Sequence, residues 1–361
     1  MLLLPATRAR KYQQLAHEAD ETSMAEMLQC NMDNVFDTVL GNLQLILDEL
    51  HGGETRRQIG EHFKLEDFWI KIGQVFKSIS KEATKLSVLF SKPPVPTVEE
   101  CQSMLNSLEM NAVALISVFY GLPKNRGIVL RKSTKQAVVN IVEAVQLLVS
   151  KIKTNQYQSS ESQLQSTGSV WEVCDLFDSL PKNNKTAVLI KINQVKDLVK
   201  DAVLELEEAV VSDSQGDDWQ GFEDLGLDNS NENYTWSEKD KDVLLSCIGL
   251  LKVTRTCLKK VTLALKENAQ WEEEHHVAQL DDIADICLTV SPAVDELAES
   301  LYPPMKYENV TIRTDHLAGI SRNLLDRTKS SHICTEGDMS WIEFLYKAID
   351  HNLEKISGCI I

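Results

Sequence analysis

The stretch Glu272-Glu273-Glu274-His275-His276, with Asp281-Asp282 just beyond it, gathers residue types that bind divalent metals. A metal site on one helix face needs ligands three or four residues apart, the spacing that H-E-x-x-H supplies. Adjacent histidines are separated by about 100° around a helix. The spacing therefore predicts a solvated, charged helix start, and no metal ligand is assigned. No glycine-rich loop is present to cradle a phosphate, and no C-x-x-C pair or local Ser/His/Asp or Cys/His signature occurs. The expectation is a chain with no catalytic residue, no cofactor and no enzymatic activity.

Trp219, Phe222 and Trp236 have a different setting, because they lie in or beside a run of Asp and Glu. Aromatics interleaved with acidic residues can form a short segment that orders on binding a partner. They can equally fold back on their own bundle. These three are the candidate partner-binding residues. Ser212, Ser214 and Ser230 have acidic residues just downstream, a context that suits acidophilic kinases.

The chain has 361 residues, enough for one large or two ordinary domains. Gly (15) and Pro (9) are scarce and aromatics reach only 6%, which disfavours a multi-stranded β protein and favours helices. A formal charge of −17 without any basic block repels a phosphate backbone, so direct nucleic-acid binding is not expected. The eight cysteines follow no disulfide or zinc spacing; Cys101, Cys174, Cys247, Cys257 and Cys287 fall in helical patterns as small hydrophobes. The Met1–Pro5 run is too short for a signal peptide, and no stretch is long and apolar enough for a membrane span. A cytosolic or nuclear location is expected.

Helical stripes organise the rest. Residues 1–32 lack a persistent apolar stripe and are expected to be mobile or partly helical. From Val35 a face of Val39, Leu43, Ile46, Leu47 and Leu50 forms and stops at Gly52-Gly53. Phe68, Ile72, Val75 and Ile79, then Ala83, Leu86 and Phe90, mark a second helix that ends at Pro93-Pro94-Val95-Pro96. Thr97 and Glu100 form a capping box for the third. A fourth helix covers 128–152, residues 154–169 read as a polar loop, and a short helix around Val170–Phe177 follows. Trp69, Trp171 and Trp341 are placed in the core.

The next stripe, over 185–211, leads into residues 212–233, which hold seven acidic and no basic residues. That composition predicts a disordered acidic loop. Ser237 with Asp240 starts another helix, and a break or kink is expected at Ser291-Pro292 in the one after. The reading is all-α: two antiparallel bundles of about ten helices. A mobile segment covers 1–32, an N-terminal bundle 33–182, and a C-terminal bundle 183–361.

Several strings carry a resemblance. They are Phe68-Trp69, Lys81-Glu82-Ala83-Thr84, Val88-Leu89-Phe90-Ser91, Tyr120-Gly121-Leu122-Pro123-Lys124 and Leu130-Arg131-Lys132. In the second half stand Trp236-Ser237-Glu238, Cys257-Leu258-Lys259-Lys260, Val277-Ala278-Gln279-Leu280-Asp281-Asp282-Ile283 and Ser300-Leu301-Tyr302-Pro303-Pro304-Met305. Over about 63–358 the chain resembles the cyclin-D-binding protein family, also described as helix-loop-helix inhibitors of differentiation type. The resemblance implies two bundles similar to those of talin, vinculin and α-catenin. It implies a regulator that binds D-type cyclins and helix-loop-helix transcription factors and lowers retinoblastoma-protein phosphorylation. S-phase transcription would be repressed in consequence.

Two further points qualify that picture. The residues allow 185–211, the acidic loop and 237–266 to be read either as a dimerising helix-loop-helix without a basic extension or as two ordinary bundle helices. The alternative function is a cytoskeletal adaptor of vinculin or talin type, in which one helix leaves its bundle to join another.

Overall fold

The computed structural model describes residues 6–52, 63–155, 161–214 and 235–361, with side chains placed from Gln29 onward up to Ser212 and again from Thr235. Among the described residues the chain is all-α, with no strand. The ten helices are α1 (Ala6–His51), α2 (Leu65–Leu89), α3 (Val98–Tyr120), α4 (Ile128–Thr154), α5 (Glu161–Asp175), α6 (Asn184–Ser214), α7 (Glu238–Asn268), α8 (Glu274–Ser300), α9 (Tyr307–Lys329) and α10 (Met339–Ile360). They divide into two compact units. One comprises Met1–Pro123 and Arg131–Leu180; the other comprises Lys124–Leu130 and Pro181–Ile361.

In the first unit α3 packs against α1 and α2, and α2 also packs against α5. The stripes supply much of the core: Leu43 and Leu50 from α1, Ile72, Ile79 and Leu86 from α2, and Leu105, Leu108, Leu115 and Phe119 from α3 are buried. Phe36 and Phe76 are buried where the stripes have the neighbouring Val35 and Val75, which are half-buried. Thr97 closes a capping box with Glu100, its hydroxyl accepting from the Glu100 N–H while the carboxylate accepts from the Thr97 N–H. Gly73 has a packing reason to be glycine. A Cβ there would lie 2.7 Å from the Phe177 ring, which itself meets Phe76 edge-on at 5.2 Å between centroids.

Three expectations in this unit change. Helix α1 begins at Ala6, not near Val35, because nothing from 6 to 40 is Gly or Pro and strong helix formers abound, even without a stripe. Helix α5 begins at Glu161, inside the stretch read as loop. The first half of its inward face is polar: Gln163 donates to the Ser87 carbonyl at 3.1 Å, and the Thr167 hydroxyl meets the Ser87 hydroxyl at 3.0 Å, all buried. Apolar periodicity cannot reveal such an interface, since hydrogen bonds rather than apolar area satisfy it. Trp171 stands 43% exposed with its indole N–H donating to Thr84, while Trp69 is buried as expected.

In the second unit α6 packs on α7 and α8, α9 on α7, α8 and α10, and α10 also on α7. Val188, Ile192, Val195, Val199 and Leu206 of α6 are buried, as are Leu244, Ile248, Leu251, Leu258, Val261 and Leu265 of α7. These two helices are bundle helices, and their apolar stripes are used inside the unit. Helix α8 runs unbroken through Pro292. Proline removes the bond from its missing N–H and its ring crowds the carbonyl four positions back, but Leu288, which carries that carbonyl, is 40% exposed, so water can reach that turn. The five cysteines read as small hydrophobes are buried. Burial pushes the thiols of Cys101, Cys174, Cys247 and Cys257 up to about 12.

Candidate partner-binding and histidine sites

The strings that carried the resemblance meet one another in the folded units. In the first unit the Arg131 guanidinium donates to the Leu122 carbonyl and lies 4.7 Å from the centre of the Phe119 ring. Leu122 is buried, so Arg131 satisfies a carbonyl that water cannot reach. A tight turn after α3 is thereby tied to α4.

In the second unit Asp281 of α8 caps the start of α4. Its Oδ2 accepts from the Ile128 N–H at 2.7 Å and its Oδ1 from the Val129 N–H at 3.2 Å. Asn184 completes the clasp, donating to Asp281 Oδ1 at 2.9 Å and accepting from the Leu130 N–H at 3.1 Å. A buried carboxylate is tolerable only when paired this way, and it complements the positive end of the α4 dipole. Gly127, at φ +123°, gives the chain its entry; a Cβ there would lie 2.1 Å from the Asn184 side chain.

Trp236, a candidate binding residue, is half-buried. Its indole N–H donates to the Leu301 carbonyl at 2.7 Å and its ring lies 5.8 Å from that of Tyr302. The Tyr302 hydroxyl donates to Glu205 at 3.0 Å. Burial, together with that carboxylate, pushes the Tyr302 phenol up. Trp236 thus ties the start of α7 to the turn after α8, and its donor is used within the unit. Trp219 and Phe222 lie outside the described residues. Next to Trp236, the Ser237–Asp240 capping box forms as read, and Tyr307 adds a bond to the Asp240 carboxylate at 2.8 Å.

The Glu273-His275-His276 region is where the structure departs most from sequence spacing. In the first turn of α8 the two imidazole rings converge, with centroids 3.9 Å apart. His332, more than fifty residues away in sequence, stacks on His276 at 4.2 Å. Gln279 fixes the state of His332. Its Oε1 accepts from the His332 backbone N–H at 2.9 Å, so it is an acceptor, and the Nδ1 2.6 Å away must be the protonated nitrogen. Nε2 then accepts from the Gln270 N–H at 3.1 Å. Burial, with the neighbouring His276 and His275, lowers the His332 pKa to about 4. Sequence reasoning missed His332 because no local spacing points to it.

Exposed apolar side chains offer contact area on the first unit. Leu45, Met110 and Val113 are exposed on α1 and α3, and a surface hollow of about 490 Å³ is lined by Leu40, Glu143, Gln146, Leu147 and Ser150. Among the described residues no helix is long and apolar enough to cross a membrane.

The N-terminal model of the Grap2 and cyclin-D-interacting family matches residues 71–212, and its C-terminal model matches residues 215–326. The first model extends through α6, whereas the structural division falls at Leu180/Pro181. The chain is 41% identical over 320 residues to a cyclin-D1-binding protein 1 homolog of Xenopus laevis, covering 87% of this chain and 95% of that one. A Danio rerio homolog is 42% identical over 316 residues, covering 87% and 92%. Cyclin-D1-binding protein 1 of Homo sapiens is 35% identical over 330 residues, covering 87% and 90%. Alongside the clasps that Arg131, Asp281, Gln279 and Trp236 build from the same strings, these matches lead to one conclusion: the chain belongs to the Grap2 and cyclin-D-interacting family, that of the cyclin-D1-binding proteins.

Proposed function

We propose that this chain is a non-catalytic regulator that binds D-type cyclins through the exterior of its helical units. The observation that supports this most is the family match, whose two models cover residues 71–212 and 215–326 and take in helices of both units. Helix-loop-helix transcription factors are the second class of partner. The apolar stripes of α6 and α7 are buried, so such a factor would dock on an outer face rather than zip with an opened helix pair. Opening that pair would expose large apolar side chains at about 1.5–3 kcal/mol each. The consequence in the cell is restraint of retinoblastoma-protein phosphorylation and of S-phase transcription, exercised in cytoplasm and nucleus. Neither nucleic acid nor membrane is a partner. Calorimetry with purified D-type cyclin and the full chain tests the reading. A saturable 1:1 complex is the expected result, and absence of binding by cyclin and helix-loop-helix factors alike would overturn it.

A further inference from the structure

We propose that Glu273, His275 and His276 form a binding site for a divalent transition metal, with zinc the ion their donors fit. Each residue offers one ligand atom, and those atoms lie within 4.8 Å of one another. Two imidazoles and one carboxylate are a zinc donor set; magnesium and calcium would demand oxygens instead. Zinc bonds of about 2.0–2.1 Å place tetrahedral donors about 3.4 Å apart, so the side chains must close by about an ångström. Glu273 and His275 are exposed and free to make that movement, and the Glu273 carboxylate already stands 3.3 Å from His275 Nδ1.

Three observations favour a cation here over a bare helix start. The Nδ1 atom of His276 is shut off from solvent and has no hydrogen-bond partner, a deficit that coordination would remove. The rings of His275 and His276 sit 3.9 Å apart, so that one ion can reach a nitrogen of each. Glu272, Glu273 and Glu274 bring three carboxylates to one helix start. The helix dipole there is worth about half a positive charge, so the carboxylates outweigh it. His332 is excluded as a ligand, since both its ring nitrogens are engaged by Gln279 and Gln270. It backs the site by stacking on His276. Three protein donors leave a position open for water.

The test is a zinc titration of the full chain by calorimetry, with cobalt as a spectroscopic substitute. Cys30, Cys334 and Cys359, the cysteines outside the core, are replaced by serine in every protein used. One zinc per chain is expected. The Glu273→Gln/His275→Gln double variant, at exposed positions that leave the helix content unchanged, should lose more affinity than the roughly 10–100-fold that removing an outer hydrogen-bond partner costs. His276→Gln should lose as much, and cobalt should show bands of nitrogen and oxygen ligation. No stoichiometric uptake would overturn the proposal. So would uptake of equal affinity in the double variant.

Discussion

The Asn184 side-chain amide donates to Asp281 Oδ1 at 2.9 Å, and between them these two residues take up three consecutive backbone N–H groups, those of Ile128, Val129 and Leu130. Their places in the sequence are 97 residues apart. Both side chains are buried, so each leaves an unmatched partner if removed. Asp281→Ala should destabilise the chain by about 1–3 kcal/mol or more, the cost of stranding buried donors. Urea denaturation measures it; a midpoint within error of wild type would show that the clasp contributes nothing.

Gly127 and Asn184 should be coupled. Gly127→Ala adds both a Cβ 2.1 Å from the Asn184 side chain and an unfavourable φ of +123°. Asn184→Gly removes the obstruction but not the backbone strain. In the double variant the two losses should therefore sum to less than the separate values, with an interaction of at least about 0.5 kcal/mol. Strict additivity in denaturation midpoints would mean that the clash is relieved elsewhere.

Ile72 and Leu258 are fully buried, one in each unit. Truncation of either to alanine should cost about 2–5 kcal/mol, the range for a filled core that collapses only in part. Thermal or urea unfolding reads this directly. Both positions were legible in the sequence, because each belongs to an apolar stripe with helical period. So were the capping boxes at Thr97–Glu100 and Ser237–Asp240, whose partners are three residues apart.

What stayed illegible has a common physical cause: its partners are distant in sequence or are polar. Gln163, Thr167 and Ser87 build a buried polar seam that reads as a loop in hydropathy. Asp281 caps a helix that starts 153 residues earlier. His332 joins His275 and His276 only after α8 and α9 pack. The string containing Gln279 and Asp281 carries the resemblance, yet its role, holding His332 on one side and the α4 start on the other, is visible only in three dimensions. In sequence Trp236 reads equally as a partner contact or as a residue folding back on its own bundle, and the structure gives its indole N–H a partner in the same unit.

That seam gives its own prediction. Gln163→Leu would keep the volume but leave the Ser87 carbonyl without its side-chain donor. A loss of about 1–3 kcal/mol is expected. A combined Gln163→Leu, Ser87→Ala, Thr167→Val variant, which replaces the polar groups together, should recover part of it. If the triple variant were less stable than Gln163→Leu by the sum of further losses, the seam would be a set of independent bonds and not a network.

The start of α7 should be sensitive to acid. Burial alone would raise the Asp240 carboxyl, but hydrogen bonds from the Ser237 hydroxyl, the Tyr307 hydroxyl and the Ser237 N–H, together with Lys239, outweigh it and hold the pKa below the usual aspartate value. A carboxyl with a lowered folded pKa binds protons more readily when unfolded. Its contribution to stability is therefore complete above the unfolded aspartate value of about 4, and it declines as the pH falls through the lower folded value. Asp240→Asn should reduce stability at neutral pH, and the difference from wild type should shrink steadily with acidification. Urea midpoints collected from pH 7 downward test this. A difference that stays constant with pH would show that the carboxylate's charge has no part in the cap, leaving only the neutral hydrogen bonds to account for it.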